Sequence, residues 1–454
     1  MNYQVVIIGG GPGGKACALK CADLGLSTAI VEKNYPGGDA INDGYFPLKV
    51  LISGEDERLG DRIEKAGSSW EDRLEKKGVH LFKGEARIIA QNSLEVDNGS
   101  NRQKLDTEFH VIATGNTPVS PISGVQLDGK GLISYQDAMR ESKTGTIKGD
   151  RIAIVGGDVE GCEFATFFKS RGKDVTIFEA LANIMPLCDQ ETRDYLQSSF
   201  EKQGINVKTG AEIIDCSYKQ GDGKVELALS SGTKEVFDRV LLTGASTPSL
   251  PAGVENLKLK YKADGFLQVN SHFQAQAKAK AESEDEAEVE IDNIYGIGDV
   301  IGGITSANAA ILEGKTTAIN IAARIDKNVQ EKTGDYSAMP YVFFTNPQIS
   351  AVGLREMDAV NKEIDYRTAK VDFRYNLRAQ SLGYDRGFVK VLLNPKENKI
   401  LGVHLIGDSI SELIPIATLA YSKGIAPEEV SSLPLPHPTM AELILEAIDE
   451  ALNK

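Results

Sequence analysis

No run in this chain approaches the roughly 18 consecutive apolar residues that a membrane-crossing helix needs. The N-terminus leads straight into an apolar strand, Gln4 to Ile8, with no basic region or cleavage site ahead of it. A cytoplasmic protein with no membrane partner is the expectation. Positive charge is also in short supply: 50 Lys and Arg against 65 Asp and Glu give a formal net charge of -15 and a pI near 5.0. A field of that sign repels nucleic acid and anionic lipid, so neither is expected as a partner, and solubility is its simplest use. The five cysteines, Cys17, Cys21, Cys162, Cys188 and Cys216, contain no CxxC pair and no metal-ligand spacing. That excludes a disulfide framework and leaves no metal site to expect. Cys17 and Cys21 stand one helical turn apart and read as small apolar residues packing a helix against a sheet.

What the chain has in quantity is glycine, 45 residues in 454, beside a hydrophobic fraction of 41% and only 7% aromatics. The length calls for two to four domains, and the composition suits an α/β protein with many tight turns and close ligand approaches. The segment YQVVIIGGGPGGKACALKCADLGLSTAIVEK reads as strand, glycine turn, helix and strand, with Val5 to Ile8 continuous enough for a strand buried on both faces. RIAIVGGDVEGCEFATFFKSRGKDVTIFEA, from Arg151, repeats the design. Two dinucleotide-binding domains follow. From about Tyr336 onward, GFVKVLL, ILGVHLIG and SELIPIATLAYSKG indicate a separate α+β domain. The expected division is 1–147 and 269–334 for the first nucleotide domain, 148–268 for the second, and 335–454 for the C-terminal domain. An acidic, low-complexity insertion at 274–292 suits a solvated hairpin tip or short helix, or else a docking surface for a basic protein partner.

Gly9, Gly11 and Gly14 form GxGxxG between a strand and a helix, and Glu32 ends the next strand, where an acid can accept a ribose hydroxyl. The glycines permit the tight turn, backbone approach to a pyrophosphate and close helix packing, and the helix N-terminus offers positive potential to phosphates. Further on stand VIATGNTP, IYGIGDV, FFTNPQISAVG and HPTMAE. With these in order, nearly the whole chain resembles the flavin-dependent pyridine nucleotide-disulfide oxidoreductases, and within them the dihydrolipoamide dehydrogenase branch.

The resemblance implies an FAD domain in two sequence pieces, an inserted NAD-type Rossmann domain and a C-terminal dimerisation domain. It places FAD on the first unit, with Thr114 and Gly115 at the second chain crossing, Asp299 on the ribityl chain and the backbone around Ala307 near the flavin pyrimidine. A carboxylate just after a buried strand can also hold a polyol hydroxyl on general grounds. The resemblance sets His437 and Glu442 as the general-base pair acting on the partner subunit's substrate, which makes the protein a homodimer. A carboxylate five residues away can hold one imidazole nitrogen and raise the basicity of the other. The family usually has another histidine where this chain has Leu435.

Residues 37–49 read GGDAINDGYFPLK. The family's pattern there is GGTCLNxGCxPSK, whose two cysteines exchange electrons with substrate and flavin. Ala40 and Tyr45 stand in their places, and neither can form a disulfide. Gly38, Asn42, Gly44, Pro47 and Lys49 keep the frame. The resemblance places Lys49 near the flavin N5, paired with Glu163, where a cation favours negative charge on the reduced ring. Tyr45 has three readings: stacking on the ring, donating its phenol to a substrate, or plugging the volume vacated by sulfur.

The second fingerprint departs too. Gly156 and Gly161 are in place and Glu179 matches the ribose-binding acid of NAD-specific members, but the middle glycine is Asp158, with Glu160 following. A charge about 4 Å from a phosphate costs up to roughly 4 kcal/mol at an effective dielectric of about 20, a weakening on the order of a thousandfold. Either NAD(H) binds weakly, or this domain is a scaffold. The leading expectation is an FAD-dependent oxidoreductase that exchanges two electrons directly between flavin and a small-molecule redox substrate such as a thiol or quinone. The alternative is a redox-silent flavoprotein subunit docking in a complex.

Overall fold

The computed structural model describes residues 1–54, 58–145, 147–219, 221–278 and 288–454. The chain forms two compact units, one from Met1–Val119, Met139–Thr146 and Ala245–Asp335, the other from Ser120–Ala138, Ile147–Gly244 and Tyr336–Lys454.

The first unit is built on a sheet whose strands run in the order Gln274–Lys278, Glu288–Gly296, Arg102–Ile112, Asn2–Ile8, Thr28–Glu32 and His80–Lys83. From Glu288–Gly296 to His80–Lys83 the neighbours are parallel. The apolar run Val5–Ile8 lies at the centre, fully buried or nearly so, as a parallel strand covered on both faces must be. Ile8 pairs with Val31 on one side and Ile112 on the other, so three strands end level, and the carboxyl edge they share is where α/β sheets receive ligands. The helix Pro12–Asp23 packs on the long helix Ala307–Ile325 at glycine contacts: a Cβ on Gly314 would lie 2.3 Å from the Gly13 carbonyl oxygen. Cys17 and Cys21 are fully buried on that helix.

The second unit carries a five-stranded parallel sheet in the order Asn206–Lys208, Asp174–Phe178, Arg151–Val155, Arg239–Leu242 and Leu132–Ile133. A three-stranded antiparallel meander, Ile213–Lys219, Lys224–Leu229 and Lys234–Phe237, shares its core. The C-terminal part is a five-stranded antiparallel sheet in the order Tyr341–Phe343, Gln348–Gly353, Lys399–Gly407, Gly387–Asn394 and Arg367–Asp372. Helix Glu442–Leu452 covers it, burying Leu443, Ile444, Ala447 and Ile448 against strand residues such as Val389 and Val391.

Strand pairing accounts for how two connecting segments group. Residues 120–138 group with the second unit because Leu132–Ile133 extends the sheet beside Arg239–Leu242. Residues 245–268 group with the first because Ser246–Pro248 pairs with Asn116–Pro118. Such short crossovers have no periodicity of their own, and only strand pairing assigns them. Within 274–292 the strand Gln274–Lys278 pairs antiparallel with Glu288–Gly296; residues 279–287, with the carboxylates at 282–286, lie outside the described residues. Among the described residues no helix is long and apolar enough to cross a membrane, and no cluster of His, Cys, Asp or Glu is placed to hold a metal.

Candidate active site

The turn after the first strand has the shape its glycines predict. Gly9 takes a φ of 109°, which disfavours any side chain, and a Cβ on Gly14 would lie 2.0 Å from the Gly9 carbonyl oxygen. Around Gly11 nothing lies within 4 Å of such an atom, leaving room for a ligand to approach the backbone. Glu32 accepts the Gly10 N–H at 2.7 Å and the Asn34 N–H at 2.8 Å, which ties the turn to the next strand and leaves lone pairs for ribose hydroxyls. On the neighbouring crossing, the Thr114 hydroxyl is buried with no hydrogen-bond partner, and Gly115 takes a φ of 72°. A buried polar atom left unpaired needs an explanation, and a ligand hydroxyl or phosphate gives one.

Asp299 follows the strand Glu288–Gly296. Its pKa is raised to about 6, chiefly by burial, with Glu313 and Asp39 adding their charge. Ala307 opens a 19-residue helix capped by Ser306, whose side chain accepts the Ala309 N–H at 3.4 Å. The first N–H groups of so long a helix present partial positive charge. These groups fit FAD: a glycine turn for pyrophosphate, an acid each for ribose and ribityl hydroxyls, and a helix N-terminus for the ring's electron-rich edge.

The 37–49 segment lies against this turn. The Gly37 N–H donates to the Gly10 carbonyl at 3.0 Å, and a Cβ on Gly38 would come within 2.9 Å of the Gly11 Cα. Asn42 Nδ2 donates to the Gly38 carbonyl at 2.8 Å, and the Gly44 N–H to the Asp39 carbonyl at 2.7 Å. Gly38, Asn42 and Gly44 therefore do backbone work that requires no sulfur. Ala40 is buried, while Tyr45 begins the helix Tyr45–Ile52 with 42% of its surface exposed. Its phenol is held above its ordinary pKa by desolvation and then by Asp299 and Asp39. The Lys49 ammonium lies 5.7 Å from the Tyr45 ring centroid. Sequence reasoning missed Asp39, Glu313 and Ser306. Glu313, which accepts the Gly298 N–H at 2.6 Å, had a legible signal as the lone acid in the small, apolar run ANAAILEG; Asp39 had none.

In the second unit, a Cβ on Gly161 would fall 1.9 Å from the Gly156 carbonyl oxygen, the same close packing as at Gly14. Glu179 accepts the Gly157 and Leu181 N–H groups, each at 2.7 Å, mirroring Glu32. Asp158 is the N-cap of the helix Val159–Ser170. Its Oδ1 is buried without a hydrogen-bond partner. Burial raises its carboxyl above the ordinary range, the Val159 N–H opposes that, and the Glu179 charge adds to it. Glu163, on the same helix, is buried and accepts the Phe344 N–H at 2.7 Å.

In the C-terminal domain His437 Nδ1 and Glu442 Oε1 are 2.8 Å apart, and the second carboxylate oxygen accepts the Thr439 N–H at 2.8 Å. Glu442 is held below its ordinary pKa by that N–H and by His437. The imidazole is 64% exposed.

A glycine-turn Rossmann unit with a set of donors and acceptors that fits a flavin nucleotide, a second such unit and an antiparallel C-terminal domain define a flavoprotein oxidoreductase. Residues 3–314 match the pyridine nucleotide-disulphide oxidoreductase family and residues 339–448 its dimerisation domain. The chain belongs to that family. Among curated relatives it is 30% identical to the dihydrolipoyl dehydrogenase of Thermus scotoductus, across 100% of this chain and 98% of that one. It is 28% identical to the mitochondrial dihydrolipoyl dehydrogenase of Pisum sativum, across 99% and 92%. A leghemoglobin reductase of Glycine max is 27% identical, across 99% and 88%. Among solved structures, the HOCl-induced flavoprotein disulfide reductase RclA of Escherichia coli superposes with a TM-score of 0.85 at 23% identity, covering 99% of each chain.

Proposed function

We propose that this protein is an FAD-dependent oxidoreductase in which a small substrate exchanges two electrons with the flavin directly, in the space where the family pattern puts a cysteine pair. One observation carries the reading: positions 40 and 45 are Ala and Tyr on a frame that keeps Gly38, Asn42, Gly44, Pro47 and Lys49, and all five cysteines are buried elsewhere as free thiols. Burial raises Cys188 and Cys216 to about 12 and pushes Cys162 up; Cys17 is pushed up by its hydrogen bond with Cys21 and by burial. Thiols held protonated in this way are poor nucleophiles for exchange.

Gly9, Gly11, Gly14, Glu32, Thr114, Gly115, Asp299 and Ala307 would hold FAD, which when bound supplies two-electron redox chemistry. Lys49 sets positive charge beside Tyr45, and Tyr45, kept protonated, can donate a hydrogen bond to a thiol or quinone oxygen. With Nδ1 engaged by Glu442, His437 Nε2 is the nitrogen left to take a proton from the substrate. The exposure of that imidazole suits a base covered by a second subunit, and a homodimer through the C-terminal domain is part of the proposal. NAD(H) is the partner couple, weakened by Asp158.

The test is anaerobic mixing of the purified yellow protein with NADH, a small dithiol or a hydroquinone while flavin absorbance is followed. Bleaching by a substrate, with alkylation of accessible thiols leaving the rate unchanged, supports the reading. Loss of turnover on thiol alkylation refutes it. Indifference to every reductant favours the silent-subunit alternative.

A further inference from the structure

The Asp158 carboxylate occupies the place on the second nucleotide fold where a bound pyrophosphate needs bare backbone. Around it the two outer glycines and the strand-end acid of a dinucleotide site are in place. Gly156 takes a φ of 107°, Gly161 packs on its carbonyl, and Glu179 is fixed by two N–H donors at the end of the next strand. Against the site stand Glu160 and the charged Asp158 side chain at the middle-glycine position. That charge is poorly compensated: Oδ1 makes no hydrogen bond, and the helix N-terminus it caps is the main favourable partner.

We propose that Asp158 makes dinucleotide binding at this fold proton-linked, so that NAD(H) enters with uptake of one proton by the Asp158 carboxylate. The inference rests on the flavoenzyme reading for its biological sense, since it concerns how that enzyme would meet its partner couple. A neutral carboxyl removes the repulsion toward the pyrophosphate and can donate its hydrogen to a phosphate oxygen, whereas the ionised form can only accept. The pyrophosphate in turn raises the carboxyl's pKa, and the two effects are one coupling seen from both sides.

Several other ionisable groups share these surroundings. On the same helix Asp158 is accompanied by Glu160, Cys162 and Glu163, across the turn by Glu179, and on the segment beyond by Cys188. Behind Cys188 stand Tyr341, Arg355 and Asp189. Burial holds Cys162, Cys188 and Tyr341 in their neutral forms, and ion pairing with Asp358 keeps Arg355 charged. Asp189 is pushed up by burial, but His404 and Lys390 outweigh that and keep it ionised. Asp158, in contrast, starts from a carboxyl already displaced upward by burial.

The experiment titrates the flavin-loaded protein with NAD+ by calorimetry from about pH 5 to about pH 8, in buffers of different ionisation enthalpy. Wild-type affinity should fall toward tenfold per pH unit over the upper part of that range, with uptake of close to one proton per NAD+ bound. Asp158→Asn keeps a good N-cap residue and should bind NAD+ with no pH slope and no proton uptake. Adenosine, which has no phosphate, should bind both proteins independently of pH. A flat wild-type profile, a slope that survives in Asp158→Asn, or NAD+ binding absent from wild type at every pH overturns the inference. Flavin reduction by a thiol or hydroquinone is read separately, so failure of the proton linkage is distinct from failure of the enzyme assignment.

Discussion

Lys390 gives the sharpest test of how the second unit is held together. Its side chain is 1% exposed and its ammonium lies 2.9 Å from Asp189 Oδ1, 3.0 Å from Glu191 Oε1 and 2.6 Å from Glu356 Oε2. Asp189, only 2% exposed, is also the N-cap of the helix Gln190–Lys202 and receives the Glu356 N–H at 3.2 Å. Lys390→Met keeps the length of the side chain and removes its charge, leaving Asp189 as a buried anion whose principal cation is gone. Breaking a buried pair in this way costs about 3–5 kcal/mol. Glu191 and Glu356 are more than a third exposed and add little. For a cooperative unit of roughly 200 residues the loss corresponds to a melting-temperature drop on the order of 10 °C.

Circular dichroism melts of wild type and Lys390→Met at pH 7 and in acid would measure it. Burial pushes the Asp189 carboxyl up, but His404 and Lys390 outweigh it and hold the group below its ordinary pKa. A depressed acid contributes stability that is complete above the unfolded value, about 3.9, and lost as pH falls through the folded one. The gap between the two proteins should therefore be full at neutral pH and close below about pH 4. Adding Asp189→Asn to Lys390→Met should recover much of the loss at pH 7. A melting-temperature change of only a degree or two, or a gap of equal size at both pH values, would show that the lysine is not the counter-ion the geometry implies.

Gly14→Ala should purify colourless or with little flavin, because its Cβ would sit 2.0 Å from the Gly9 carbonyl oxygen; flavin content per chain reads this out. His437→Ala should slow substrate-driven flavin reduction by about a hundredfold or more, and Glu442→Gln should displace the pH profile of that step; unchanged stopped-flow rates would remove both from the mechanism. Asp299, at about 6 without ligand, should ionise when ribityl hydroxyls donate to it, so FAD should reconstitute the apoprotein more tightly as pH rises from about 5 to about 7. Asp299→Asn should abolish that slope in a fluorescence titration.

Much of this protein was legible before its structure. The run Val5–Ile8, the glycines that follow and Glu32 specify a βαβ nucleotide unit because each is a local requirement: an apolar strand for burial, missing side chains for a tight turn, an acid at a strand end. The same local rules marked Gly156, Gly161 and Glu179 and exposed Asp158 as a departure, whereas Ala40 and Tyr45 stood out only against the pattern of the family that the chain resembles. What the sequence could not decide was everything that depends on residues far apart in the chain meeting. That Leu132–Ile133 joins the second sheet, that Gly38 and Gly44 are needed for backbone contacts whatever stands at 40 and 45, that Asp39 and Glu313 bear on Asp299, and that Lys390 is buried among three carboxylates all follow from tertiary packing. A carboxylate or ammonium looks solvent-exposed in a sequence, because nothing in its neighbours along the chain reports the burial and the partner that alone determine its charge and its role.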